Sequence, residues 1–272
     1  MRWIIGDVHG MLRPLETLLA EVRRVDPKAR FYFVGDYVNR GPSSREVVDL
    51  LIALGREDGA KFVRGNHDDI FDEILHGKSY ATNASDSDRL VAFQWFMQHG
   101  LDDTFMSYGI DLAALEQCRD RPTSERLEKI IAPVPEAHRT FFRELPPVIE
   151  DDDLFIVHAW WDPDEPDHPP DLAGRVAPKA GARHKLIWGR YAEDEIGRVK
   201  AWKRTGYFGH TPVYAYAASQ LGGELALIPI AGERMVLLDT GAALNTQGRL
   251  TAFCADSGEF VQADHFGKLV EV

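Results

Sequence analysis

Apolar residues in the first third of the chain switch between two spacings. Trp3–Ile5 is a short unbroken apolar run, and Leu12, Leu15, Leu18, Leu19 and Val22 then recur at helical spacing. Phe31–Val34 is a second run. Ser43 or Ser44 offers an N-cap for a helix carrying Val47, Val48, Leu51, Ile52 and Leu54, which stops near Gly55. Lys61–Arg64 reads as a third strand. Strands alternating with helices predict a parallel sheet with helices packed on it. From Asp69 to about Leu145 the pattern is helical, clearest at Val91–Met97 and Ala137–Phe142. A segment this long between strands predicts a cap or side wall rather than a loose loop. Leu154–Val157 and Gly206–Phe208 follow as short apolar strands. The Pro-rich, acidic stretch Asp162–Asp171 between them predicts an irregular loop. The tail reads as all-β: Leu225–Ile230, Met235–Leu238, Leu250–Cys254 and Glu259–Ala263, with turns such as Asp256-Ser257-Gly258. No internal repeat interrupts this order, so residues 1–272 read as one domain with a helical insertion at about 69–145.

Polar residues at the strand ends change the picture from fold to chemistry. GDVHG (Gly6–Gly10), GDYVNRG (Gly35–Gly41) and GNHD (Gly65–Asp68) each follow a strand, as do VHAW (Val157–Trp160) and GHTP (Gly209–Pro212). Ligands of open α/β sheets gather at the carboxyl ends of strands, so motifs distant in sequence are expected to converge. Asp7 and Asp36 offer carboxylates, Asn66 an amide oxygen, and His9, His158 and His210 imidazole nitrogens. Each has an ordinary explanation alone: a turn or cap for Asp7, a core histidine for His158, turn chemistry for His210, a left-handed residue beside Gly65 for Asn66. Together they share one form, a strand followed by a ligand-type side chain, and point to a metal site. Mixed carboxylate, amide and imidazole ligands suit manganese, iron or zinc better than calcium or magnesium. Two such cations about 4 Å apart can share a hydroxide and clamp a phosphate for in-line attack. Arg40, Arg64 and Arg190 lie beside these motifs, and the guanidinium fork matches phosphate oxygens. Ion pairing with nearby carboxylates is the plainer alternative, and it weighs most for Arg64.

Composition narrows the partners. The 272 residues are 44% hydrophobic and 27% charged, with a net charge of −12. That balance argues against broad binding to a nucleic-acid backbone. No apolar run is long enough to span a bilayer. Arg2–Ile5 runs directly into the first motif, which leaves no signal peptide in view and suggests a cytoplasmic protein. Cys118 and Cys254 lie far apart and read as reduced, buried thiols.

These motifs resemble the calcineurin-like metallophosphoesterase superfamily, and most of all its phosphoprotein phosphatase branch. That branch includes bacterial Ser/Thr phosphatases and symmetrical diadenosine tetraphosphate hydrolases. The likeness extends to Trp95–Gly109, Leu145-Pro146, the Ile187–Arg190 segment and Asp239-Thr240-Gly241. It implies an α/β/β/α sandwich of two facing mixed sheets. It implies one metal on Asp7, His9 and Asp36, and a second on Asp36, Asn66, His158 and His210, with manganese expected first and iron or zinc as alternatives. It also implies that Arg40 and Arg190 hold phosphate and that His67 is the general acid. The implied activity is hydrolysis of phosphate monoesters, foremost on a phosphorylated protein. A dinucleoside tetraphosphate, or a weakened phosphate-binding role, is the alternative. Two positions depart from the pattern. Asn39 stands where the family usually has Asp, so it can accept a hydrogen bond from His67 but cannot stabilise its charged form. Asp68, or a residue of the Asp162–Asp171 loop, is then a candidate source of the missing charge. Trp160 replaces a frequent Gly and is expected to pack.

Overall fold

The computed structural model describes residues 1–82, 86–165, 181–217, 220–221, 224–225 and 227–271. Its strands are β1 Arg2–Ile5, β2 Arg30–Phe33, β3 Lys61–Phe62, β4 Val148–Asp151, β5 Leu154–Val157 and β6 Thr205–Phe208. They continue with β7 Gln220–Leu221, β8 Glu224–Leu225, β9 Ile230–Gly232, β10 Met235–Leu237, β11 Arg249–Cys254, β12 Phe260–Asp264 and β13 Leu269–Val270. The helices are α1 Leu12–Val25, α2 Ser44–Glu57, α3 Asn66–His76, α4 Asp86–Phe96, α5 Leu101–Ser107 and α6 Leu112–Asp120. After these come α7 Ser124–Ile131, α8 Glu136–Glu144, α9 Ala182–Trp188 and α10 Glu193–Gly197.

Two mixed sheets face one another. The first runs β13-β12-β11-β1-β2-β3 and the second β4-β5-β6-β10-β9. β1, β2 and β3 pair in parallel, as strands joined by helices must when each crossover packs back on the sheet. The tail then adds β11 antiparallel to β1, and β10 parallel to β6. Alternation along the strands builds the layers. Trp3 and Ile5 face the helices with Leu15, Leu18 and Phe33. Ile4 points the other way and meets Ile156, Tyr207, Val236 and Leu238 of the second sheet. Phe155 and Val157 face outward again, onto Leu186, Ile187 and Trp202. Three buried clusters between four layers give the α/β/β/α sandwich.

Several boundaries differ from expectation. The third strand is only Lys61–Phe62, because Asn66 already opens α3 and Arg64 is drawn toward Pro146 by a backbone bond from its N–H. Leu225–Ile230 is not one strand: Glu224–Leu225 and Ile230–Gly232 belong to different sheets, with Pro229 between them. Val148–Asp151 is a strand that the apolar pattern did not signal. Of the stretch Asp162–Asp171, positions 166–171 lie outside the described residues. The helical stretch α3–α8 shares the first core, where Phe71, Phe93, Phe105 and Phe142 pack among its residues. No helix among the described residues is long and apolar enough to cross a membrane.

Candidate metal centre

Three of the five motifs leave their strands through backbone that most residues avoid. His9, Asp36, Asn39, Arg40 and His210 all have positive φ, between 46° and 72°. Such residues concentrate at functional sites because the surroundings must hold them there. Close approach explains two of the glycines. A Cβ on Gly65 would sit 2.2 Å from Oδ1 of Asp36, and one on Gly209 would sit 1.9 Å from Oδ1 of Asp7. Both glycines make room for a carboxylate.

The side chains then converge. Nδ1 of His9 donates to the Val38 carbonyl (2.9 Å) and Nδ1 of His158 to the Val34 carbonyl (2.8 Å). Each bond places a proton on Nδ1 and turns Nε2 toward the centre as the candidate ligand atom. Those two Nε2 atoms lie 3.5 Å and 3.4 Å from Oδ2 of Asp36, which thus stands between them. Oδ1 of Asn66 lies 3.0 Å from His158 Nε2 and 2.8 Å from His210 Nδ1. Asp7 accepts from the His210 backbone N–H through Oδ2, while its Oδ1 is buried without a hydrogen-bond partner.

Charge follows this geometry. Burial pushes Asp7 well above the usual carboxylate range, with Asp239 and Asp36 adding repulsion. Burial also opposes ionisation of Asp36, but the surrounding histidines, His158 first, hold it well below that range. Desolvation disfavours a proton on His158, yet Asp36 beside it raises it to about 9. His9 falls to about 3 through burial and then the Arg40 charge. Burial, then His158 and Arg190, hold His210 well below the ordinary histidine value.

These residues fit two cations. His9, Asp36 and His67 form one buried group of ligand atoms, and Asp36, His158 and His210 another, each within 4.8 Å. Asp36 is common to both. A buried carboxylate oxygen without a donor, Oδ1 of Asp7, is what a cation would satisfy. The oxygen and nitrogen mixture matches manganese, iron or zinc.

His67 lies beside this centre, its ring 4.7 Å from that of His9. Behind it, Asn39 does not accept a hydrogen bond as expected. Its Nδ2 lies 2.8 Å from His67 Nδ1, and its Oδ1 accepts from Thr104 Oγ1 at 2.8 Å. Thr104 Oγ1 also accepts from the Asn39 backbone N–H and touches Ser44 Oγ at 3.1 Å. Hydroxyls donate and accept alike, so Thr104 can serve either face of the amide. Either face leaves a neutral group behind His67, whose pKa is held well below the ordinary value by burial, against the pull of Asp36.

Asp68 does not supply the missing charge. Its oxygens accept from the backbone N–H groups of Asp36, Tyr37 and Gly65 at 2.8 to 2.9 Å, which pins the second motif to the start of α3. Arg64 is likewise corrected from phosphate ligand to strut. Its guanidinium is buried and donates to Asp69, Asp72 and the carbonyls of Phe142, Arg143 and Leu145. No N–H is left for a substrate. Arg40, by contrast, extends into the site, with Nη1 at 2.8 Å from His9 Nε2 and Nη2 at 3.2 Å from His67 Nε2. Arg190 donates to Thr211 Oγ1 (2.9 Å) beside His210 and is otherwise exposed. Trp160 packs as expected, against Gly189 and under the Lys185 ammonium at 4.4 Å. Trp188 is only half-buried.

The residues that sequence reading missed are those that hold the loop from behind. The Gly100 carbonyl accepts from the Arg40 N–H at 3.0 Å, and Thr104 grips Asn39. Both sit on the helical segment, far along the chain, with no local signal of the role. Asp239, buried near Asp7, was visible only as part of a family-like tripeptide.

Comparison with known proteins accords with this geometry. A family model described as "Calcineurin-like phosphoesterase" matches residues 2–214. A symmetrical bis(5'-nucleosyl)-tetraphosphatase of Bordetella pertussis is 48% identical over 67 residues, 24% of each chain. That of Proteus mirabilis is 37% identical over 98 residues, 33% of this chain and 35% of the relative. The chain therefore matches between a quarter and about a third of the length of these relatives. A crystal structure provisionally named a diadenosine tetraphosphatase superposes with a TM-score of 0.51 at 20% identity, over 97% of this chain and 92% of the other. That likeness is one of fold. Two facing mixed sheets, buried His/Asp groups at their strand ends and a family match over most of the sequence lead to one assignment: the chain belongs to the calcineurin-like phosphoesterase family, whose members are metal-dependent phosphoester hydrolases.

Proposed function

We propose that this protein hydrolyses phosphoanhydrides and aryl phosphates at a centre of two divalent cations, manganese foremost. Asp7, His9 and Asp36 hold one cation, and Asp36, Asn66, His158 and His210 hold the other. The cations supply neutralisation of the phosphoryl oxygens and activation of the attacking water. Arg40 and Arg190 orient the phosphoryl group through paired N–H donors. His67 presents an N–H to the departing oxygen. The chain 1–272 acts as one unit, with α3–α8 as the wall that fixes the second motif.

The observation that carries the substrate preference is the neutral Asn39 amide, 2.8 Å behind His67. A carboxylate there would support an imidazolium, and hence full proton transfer to a poor leaving group. An amide supports only a neutral hydrogen-bond donor. Phosphate and phenolate leaving groups depart as stable anions and need little more, whereas a serine alkoxide needs the proton. A phosphorylated protein, the first expectation from the motifs, is therefore the poorer substrate for this side chain. The tetraphosphatase names of the partial relatives agree with an anhydride substrate.

The test is a manganese-supplemented panel of a dinucleoside polyphosphate, nitrophenyl phosphate and a phosphoserine peptide. Turnover of the first two is expected, abolished by His67→Ala for the leaving groups of highest pKa first. Asn39→Asp is expected to raise phosphoserine turnover about tenfold or more, a part of the roughly 10²–10⁴-fold that a general acid contributes, and to change nitrophenyl phosphate turnover far less. An unchanged phosphoserine rate in that variant would defeat the account of Asn39.

A further inference from the structure

The rim of the cleft carries aromatic rings for which the chemistry above has no use. Trp188 ends α9, edge-on to His210 at 6.2 Å and to Phe96 at 6.3 Å. Phe96 in turn packs 5.1 Å from His67. Trp95, on α4, lies nearly parallel to Trp188, with centroids 5.8 Å and planes 24° apart. Phe96 and His99 meet the Trp95 ring edge-on at 5.0 Å and 5.3 Å, so the indole is held in place. It is nevertheless 47% exposed. A large flat ring, fixed and left in water two rings away from a candidate metal ligand, is shaped to receive another flat ring.

Charge at the same rim selects the kind of ring. The segment 181–190 carries Arg183, His184, Lys185 and Arg190 and no acidic residue, in a chain whose net charge is −12. His184 stacks on Trp188 with planes 16° apart. Arg183 and Lys185 lie over Tyr80 and Trp160, contacts that hold each cation without neutralising it. One phosphoryl group is already served by two metals and Arg40. Further basic side chains on the helix that carries Trp188 and just after it fit a ligand with several phosphates and a planar base. A phosphoserine side chain brings no ring, and a phosphotyrosine brings a ring with one phosphate.

We propose that the exposed ring of Trp95, backed by Trp188, forms a stacking platform for a nucleobase, and that the basic segment 181–190 binds the phosphate chain of the same nucleoside polyphosphate. This deepens the anhydride reading given above and rests on it. The platform residues touch the base, not the reacting phosphorus.

Binding can be read without turnover. Calorimetric titration of the manganese-loaded protein with a methylene-bridged adenosine triphosphate, which resists hydrolysis, is compared with inorganic tripolyphosphate. Trp95→Ala is expected to weaken nucleotide binding about tenfold, the usual scale of losing one base–aromatic stack, and tripolyphosphate binding less than about twofold. Trp95→Phe is expected to recover most of the loss, because a smaller ring still stacks. Trp95 is exposed, and circular dichroism of the variants checks that the fold persists. Equal loss for both ligands, no loss for either, an equal loss with a phosphotyrosine peptide, or no nucleotide binding by the parent protein would each overturn the platform. If the parent turns over dinucleoside polyphosphate while Trp95→Ala binds nucleotide normally, the platform alone fails. If the parent turns over no anhydride or aryl phosphate, the underlying reading fails with it.

Discussion

Asp68 and Arg64 illustrate how little a residue's neighbours in sequence say about its work. Both flank candidate metal ligands, and both turn away from the cleft. Asp68 gathers three backbone N–H groups, and Arg64 is surrounded by two carboxylates and three carbonyls. Replacing Asp68 by Asn sets an amide N–H against these donors. The variant is expected to lose about 2–4 kcal/mol of stability, the scale of buried polar groups left unpaired, measured by urea unfolding. A merely catalytic Asp68 would instead leave the unfolding midpoint unmoved. The candidate ligands were legible for the opposite reason. Asp7, His9, Asp36, Asn66, His158 and His210 each follow a strand, and strand ends meet in space wherever the sheet forms. Asn39 was legible as a departure, but the bond that Thr104 makes to its amide was not, because Thr104 sits on a helix 65 positions away.

At the scale of elements, the α3–α8 segment does more than cover the cleft. The turn into α5 holds the second motif, with Gly100 under Arg40 and Thr104 under Asn39. Gly100 has φ 79°, and a Cβ there would lie 2.3 Å from the Arg40 nitrogen. Gly100→Ala combines a left-handed strain of about 1 kcal/mol with a backbone collision, so Arg40 must move. The expected result is a rise in KM for phosphoester substrates of about tenfold or more, with a loss of stability near 2 kcal/mol. Steady-state kinetics beside thermal unfolding separates the two. The βαβαβ opening was readable from hydrophobic spacing alone. The pairing of β11 with β1, and of β10 with β6, was not, since it is decided by contacts between strands more than two hundred positions apart or in different parts of the tail. β4 was hidden because Val148 and Ile149 are followed at once by acidic residues.

For the whole molecule, the buried centre ties metal binding to protons. His158 titrates at about 9 without metal and Asp7 lies well above the usual carboxylate range. At neutral pH His158 therefore carries a proton that a cation must displace, and burial of Asp7 adds to the competition between proton and metal. The sign is fixed: affinity rises with pH until His158 has lost its proton near pH 9, and then levels off. Each displaced proton gives about a tenfold gain per pH unit. Manganese affinity measured from pH 6 to 10 is expected to show this slope, and calorimetry in buffers of different ionisation enthalpy to show proton release. A flat profile would contradict the proposed role of His158. Bound metal is also expected to raise the melting temperature, and a chelator to lower it, because the unfolded chain scatters the ligands.

His9, Asp36 and His210 occupy the left-handed basin, as does Asn39. Histidine, aspartate and asparagine are the side-chain-bearing residues that tolerate this basin best, so coordination chemistry and backbone geometry select the same few amino acids. The practical outcome concerns inactivated controls. Exchange of Asp36 for Asn keeps the turn and removes only the carboxylate charge. Exchange for Val removes the charge and forces a branched Cβ into a conformation it rejects, so lost activity in that protein would report a broken loop rather than a missing ligand.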